Sequence, residues 1–216
     1  IQNIGAYGVE LQDVFESCTL VNRNDRSIET YDRVACQFGY RDSIFKRELK
    51  HKAVITDVSL RLKKENYQLN TSYGVIAQLL ASKGISTPSP KEIADVVIDI
   101  RTAKLPDPKQ LGNAGSFFKN PIINEKNITY KNFKKEDLII WDHDKPNVKV
   151  GAGRLIELIK STLNQEAIDN LHSSHALIIT NKNNISYDDI IKISQDIQSK
   201  VYKEFNILLE IEPTII

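Results

Sequence analysis

The sequence predicts an α+β fold in two parts, the remainder of one α+β domain followed by a smaller α+β domain. Three observations predict it. Strand-like segments come first, within the first 62 residues, and the last of them, 53–62, alternates with period two. Two well-capped helical patterns open at Ser89 and Ser186. Between and after them the order is helix, loop, strand, helix, strand, which differs from the regular alternation of a parallel β/α sheet.

The elements follow in order. Residues 16–22 and 27–31 read as strands, with Arg23-Asn24-Asp25-Arg26 as their hairpin turn. Residues 53–62 alternate: Val54, Thr56, Val58, Leu60 and Leu62 on one face, Asp57, Ser59 and Arg61 on the other. That is the pattern of an antiparallel strand with one covered face. Residues 73–83 carry the helical stripe Ile76, Leu79, Leu80 and stop at Gly84. The next helix has Ser89 as its cap, Pro90 in its first turn and Glu92 closing a capping box. Its stripe is Ile93, Val96, Val97 and Ile100, and Leu105-Pro106-Asp107-Pro108 stops it. Residues 112–120, rich in Gly, Asn and Ser, read as a loop. One or two short strands are expected over 136–150 around Trp141, a helix over 152–160 and a buried strand over 176–180. Ser186 and Asp189 open the longest helix, with stripe Ile190, Ile193, Ile197 and Val201, and 207–216 is extended. The proline-containing stretches 86–90 and 106–108 mark subdomain boundaries. The expected division is 1–105, 106–205, and a terminal strand 206–216 returning to the first part.

Composition narrows the function classes. The chain has 216 residues, 41% hydrophobic and 26% charged, values of an ordered globular protein. Lys plus Arg is 29 against Asp plus Glu 28, which argues against a nucleic-acid binder. No apolar run approaches the roughly 20 residues of a membrane helix, and no secretory leader is seen. Two cysteines are too few for a disulfide framework or a structural zinc site. A cytoplasmic monomer without metal is expected. There is no Met, even at position 1, so the chain reads as starting inside a longer enzyme with part of its site elsewhere.

Several segments can carry chemistry. In Gly39-Tyr40-Arg41-Asp42-Ser43, Arg41 offers a rigid fork for a carboxylate; the simpler alternative is a surface Arg paired with Asp42. In Gly112-Asn113-Ala114-Gly115-Ser116-Phe117-Phe118-Lys119-Asn120-Pro121, the glycines allow close backbone approach, and Ser116 can give a proton. Two Phe anchor this stretch while Lys119 and Asn120 stay polar; the alternative is a plain turn before a strand. Arg101 and Lys104 suit an anionic ligand beside that loop, or merely a helix C-terminus. Glu210 and Glu212 share a face of the final segment. Their apolar neighbours suit a carboxyl group that donates a proton, and a solvated strand edge is the alternative. His172-Ser173-Ser174-His175 has metal-like spacing but no third ligand nearby. Cys36 reads as buried.

Taken together, Gln2-Asn3-Ile4-Gly5-Ala6-Tyr7-Gly8, Phe38–Lys46, Arg101–Pro108, Gly112–Pro121 and Leu209-Glu210-Ile211-Glu212, in this order, closely resemble the UDP-N-acetylenolpyruvoylglucosamine reductase (MurB) family of peptidoglycan synthesis. The resemblance covers essentially the whole chain and is of the longer, type I form; the family's N-terminal flavin-binding portion is missing. It implies FAD as cofactor, NADPH as hydride source and a UDP-sugar enolpyruvyl ether as substrate. It implies Arg41, Ser116 and Glu212 as catalytic residues. Gln2, Asn3, Gly5, Ala6, Tyr7, Ile55 and Arg101 match flavin-side positions. Tyr73, Lys104 and Asn120 match substrate-contacting positions, and Trp141 stands where a substrate-binding Tyr is common. The chain also departs from the family at Arg154, a usual Trp, in the 162–171 segment, and at the His172–His175 stretch, where a Gln often touches the nucleotide. Two other readings remain: an inactive flavoprotein relative that only binds a nucleotide-sugar, and a non-enzymatic interaction domain.

Overall fold

The computed structural model describes residues 1–65, 67–182 and 184–215. The chain divides into two compact units, Ile1–Asp99 and Ile100–Ile216. Helices and antiparallel strands are mixed in sequence, which bears out the α+β class.

The first unit opens with a two-stranded ribbon, β1 (Gly5–Ala6) and β2 (Val9–Glu10). β3 (Phe15–Asn22) and β4 (Ile28–Asp32) form the expected hairpin, with Val21 opposite Ile28. β5 (Ala53–Leu60) pairs antiparallel on the other side of β3, giving the order β4-β3-β5. The single apolar face expected for β5 is not formed. Thr19 pairs with Asp57 but Leu20 with Ile55, so Thr56 is an extra residue, a bulge. A bulge reverses the facing of everything beyond it. Ile55 and Val58 therefore share the face of Cys18 and Leu20, and Val54 lies on the opposite one. Nor is the face covered: Val54, Val58, Leu60 and Leu62 are all exposed. A small cluster of Phe15, Cys18 and Cys36 is the buried centre, with Phe38, Phe45 and Ile55 packed against it.

Helix α1 (Ile76–Ser82) buries Ile76 and Leu80. Gly84, at φ +73°, ends it, with the Ile85 N–H donating to Leu80 O and the Gly84 N–H to Ala81 O. This is a Schellman closure, and the left-handed residue it needs is the glycine that marked the helix end. α2 (Pro90–Lys104) starts at the expected capping box: the Ser89 N–H donates to Glu92 Oε2 (2.7 Å) and the Glu92 N–H to Ser89 Oγ (3.3 Å). Val96 and Ile100 of its stripe are buried. The division between the units falls within α2.

The second unit holds two three-stranded antiparallel sheets. One is β10 (Leu171–His172), β11 (His175–Thr180) and β6 (Asn113–Ser116). The other is β7 (Ile122–Asn124), β9 (Asn147–Val150) and β8 (Ile140–Asp142). α3 (Ala152–Ile159), α4 (Gln165–Asn170) and α5 (Tyr187–Phe205) complete it. α5 opens at the Ser186–Asp189 capping box and buries Ile193, Ile197, Val201 and Phe205. These side chains share one core with Leu155, Ile156 and Ile159 of α3, Ile179 of β11, Phe117 and Phe118, and Ile207 and Leu209 of the terminal segment. Among the described residues no helix is long and apolar enough to cross a membrane.

The expected loop over 112–120 is instead largely extended. Ser116 pairs with Ile178 and Asn113 with Thr180. Residues 117–119 then pair with the terminal segment through a Phe118–Ile211 bridge. Both partners lie far away in sequence, so local composition gave no sign of them.

Candidate active site

In the first unit the organising residue is Asn3. It is fully buried and sits at φ +52°. Its Nδ2 donates to Glu10 Oε2 (2.9 Å) and to Gly39 O (2.9 Å), and its Oδ1 accepts from the Gln12 N–H (3.0 Å). The 2–8 stretch is thereby tied to the turn that carries Arg41. In that turn Gly39 and Asp42 exchange backbone hydrogen bonds of 3.1 and 3.3 Å, and Arg41 has φ +53°. The Arg41 guanidinium donates to Gly5 O (2.5 Å), lies 4.0 Å from Glu10 Oε1 and packs on the Tyr40 ring at 5.1 Å. The Asp42 carboxylate is paired with Arg47. Gly5 is required here: a Cβ would sit 2.8 Å from Glu10 Cγ and 3.1 Å from the Arg41 guanidinium. Ser43 is buried and donates to Ile1 O, while Lys46 Nζ donates to Gln2 Oε1 (3.0 Å).

Tyr7, expected at the flavin, and Tyr73, expected at the substrate, meet edge to face with ring centroids 5.7 Å apart. Ile55 packs inward against the Phe15, Cys18 and Cys36 cluster. Both thiols are buried. Burial, with the Cys18 thiol beside it, pushes Cys36 up to about 12.

In the second unit, Arg101 lines one cavity of about 790 Å³ together with Leu105, Pro106, Asn113 and Gly115. The structure thus brings the helix-end cation and the glycine stretch together. Asn113 shapes the stretch: its Oδ1 accepts from the Gly115 N–H (2.9 Å) and its Nδ2 donates to Leu111 O (2.8 Å). Gly115 has φ +71°, and a Cβ there would meet nothing within 4 Å. Backbone conformation, not space, asks for glycine at this position. Ser116 follows it, half-buried.

Lys119 is not an exposed polar residue of a loop. Its side chain is only 10% exposed and its ammonium is paired with Glu210. Asn120 Oδ1 accepts from the Ala152 N–H (3.0 Å) at the start of α3, which leaves the amide nitrogen as donor. Trp141 is half-exposed, with Lys149 Nζ 5.6 Å from its ring centroid. Arg154 donates from Nε to Asp137 O (2.8 Å). His172 and His175 face each other across the β10–β11 hairpin. Burial lowers the His175 pKa, and His172 and Lys104 lower it further. Among the described residues no group of three or more His, Cys, Asp or Glu could hold a metal ion.

Three participants were missed from sequence: Glu10, which links Asn3 and Arg41, Asn113, and the Lys119–Glu210 pair. The last spans 91 positions, a separation that no local pattern reports.

A family model described as UDP-N-acetylenolpyruvoylglucosamine reductase, C-terminal domain, matches residues 107–216. A UDP-N-acetylenolpyruvoylglucosamine reductase from Flavobacterium johnsoniae is 40% identical over 216 residues, covering 100% of this chain and 64% of that protein. The protein of the same name from Pseudomonas aeruginosa is 38% identical over 215 residues, covering 63% of its length. The chain therefore spans a little under two thirds of these relatives. The crystal structure of the Thermus caldophilus UDP-N-acetylenolpyruvylglucosamine reductase (MurB) aligns with a TM-score of 0.55 at 20% identity, covering 99% of this chain and 57% of that one, a likeness of fold.

Proposed function

The chain belongs to the UDP-N-acetylenolpyruvoylglucosamine reductase family, and from that premise we propose that it is part of an NADPH-dependent, FAD-mediated reductase. The reaction is the conversion of UDP-N-acetylglucosamine enolpyruvate to UDP-N-acetylmuramate in peptidoglycan synthesis. The observation that carries this reading is identity to named reductases along the whole chain.

The residues fit an anionic dinucleotide such as FAD. Arg101 supplies a cation to a cavity also lined by Thr102, Gln110, Asn113 and Gly115, with Asp107 as its carboxylate. Gln2, Gly5, Ala6, Tyr7 and Arg101 would hold the group. Asn3 and Ile55 turn inward and act through the backbone they fix. FAD, when bound, supplies hydride transfer from NADPH to the sugar.

The chain's own residues handle charge and proton. Hydride addition to the terminal carbon of an enol ether leaves negative charge on the neighbouring carbon and its carboxylate. Arg41 stabilises that charge through its guanidinium fork, and Glu212 donates to the same oxygens. The Ser116 hydroxyl gives its proton to the carbanionic carbon. Lys104, Asn120, Tyr73 and Trp141 bind the UDP-sugar, Asn120 through the amide nitrogen that α3 does not use.

The test is NADPH consumption by the full-length protein. Oxidation that depends on the enolpyruvyl sugar and yields UDP-N-acetylmuramate is expected. NADPH consumption indifferent to the sugar, or none, contradicts the reading.

A further inference from the structure

The mechanism leaves one buried charge unused. The Lys119 side chain is 10% exposed, whereas Glu210, its partner, is 67% exposed. The pair lies beside the bridge that holds the terminal segment. The Lys119 N–H donates to Glu210 O (2.9 Å), and the Glu212 N–H donates to Phe117 O (2.9 Å). Up to Leu209 the terminal segment is held by burial and by Gln198 Nε2, which donates to Leu209 O (2.7 Å). Past Ile211 burial falls away: Glu212 and Pro213 are half-buried, and Thr214 and Ile215 are exposed. Chain ends fray unless they are tied down. Glu210 and Glu212 share one face of the segment, and Lys119 takes the first of them.

We propose that the Lys119–Glu210 ion pair is the clamp that holds the terminal segment on residues 117–119 and so fixes the Glu212 carboxyl, making Lys119 a positioning residue. The proposal rests on the reductase reading for the role of Glu212. The pair is asymmetric, and that sharpens it. Glu210→Gln leaves a covered ammonium without its counter-charge, whereas Lys119→Met leaves a carboxylate in water. Glu210→Gln is therefore the more damaging change.

The test uses the full-length protein with Lys119→Met, Glu210→Gln and the conservative Lys119→Arg. Backbone hydrogen exchange is read over the terminal segment. Exchange at the Glu212 amide is expected to quicken about tenfold or more in the first two variants, most in Glu210→Gln, and to stay near the parent rate in Lys119→Arg. In rapid mixing, flavin reduction by NADPH stays near the parent rate, while reoxidation by the enolpyruvyl sugar slows by roughly 10- to 100-fold. Unchanged exchange in Glu210→Gln, or equal loss in both half-reactions, overturns the proposal. Exchange does not depend on the reaction, so a parent protein without reductase activity sinks the functional reading and leaves the clamp decided by exchange. Lys119→Met keeps an apolar stem in the covered site and leaves Glu210 in water, so it still reads the exchange if Glu210→Gln does not fold.

Discussion

Replacing Asn3 by Ala removes three hydrogen bonds at once from a fully buried site. Two are to neutral backbone groups, Gly39 O and the Gln12 N–H, and are worth about 1 kcal/mol each. The third reaches the Glu10 carboxylate and is worth about 2 kcal/mol. The backbone at φ +52° is tolerated by Asn and costs Ala about 1 kcal/mol more. The expected loss is about 5 kcal/mol, a large part of the ~5–15 kcal/mol that holds a domain folded. Urea unfolding followed by circular dichroism measures it. The first unit should melt well before the parent, and Lys46, Arg41 and the 39–43 turn should lose protection from proteolysis with it. A loss below about 1 kcal/mol would mean that water replaces all three partners. The idea that Asn3 holds the Arg41 turn would then be wrong.

Further outcomes are expected. In the full-length protein, Arg41→Lys and Glu212→Gln should slow sugar-dependent flavin reoxidation by about 10²–10³ or more, with much less effect on reduction by NADPH; equal damage to both steps would make them structural residues. Residues 1–216 expressed alone should lose flavin on desalting, and a stoichiometric yellow protein would contradict this. Cys36 is raised from 9.0 to about 12, so the folded state holds that proton more tightly than the unfolded state. Its contribution to stability is complete below pH about 9 and is lost as pH rises toward 12. Denaturation midpoints should therefore fall over that range in the parent and fall less in Cys36→Ala; identical pH profiles would reject the linkage.

Much of the fold was legible because its signals are local. Both capping boxes need only residues three apart, and both form. Gly84 could be read as a helix end because a left-handed residue closes a helix by itself. What escaped depends on distant partners. The bulge at Thr56 is set by how β5 registers against β3, and alternation within β5 cannot report it. Asn113–Ser116 looked like a loop because its glycines and Asn weaken strand propensity, and its partner strand begins some 60 positions later. α4, capped by Asn164, lies in a stretch whose apolar pattern is too short to show a period. At the candidate site the motifs name the stretches, while their internal wiring is hidden from the sequence. Arg41 was adjacent to Asp42 in sequence, yet its guanidinium reaches Gly5 and Glu10. Lys119 looked solvated and is buried against a residue near the other end of the chain.

If Ser116 delivers the proton to the substrate carbon, as proposed, Ser116→Ala in the full-length protein slows one half-reaction and spares the other. Ser116 directly follows Gly115, which lines the cavity together with Arg101. On the proposed reaction it would have no part in passing hydride from NADPH to flavin, since no carbon is protonated in that step. Stopped-flow absorbance at the flavin band separates the two half-reactions. Bleaching by NADPH is expected at near the parent rate, and reoxidation by the enolpyruvyl sugar is expected to slow roughly 10²–10⁴-fold. Reoxidation as fast as in the parent would show that Ser116 is a structural residue of its strand and that the proton comes from elsewhere.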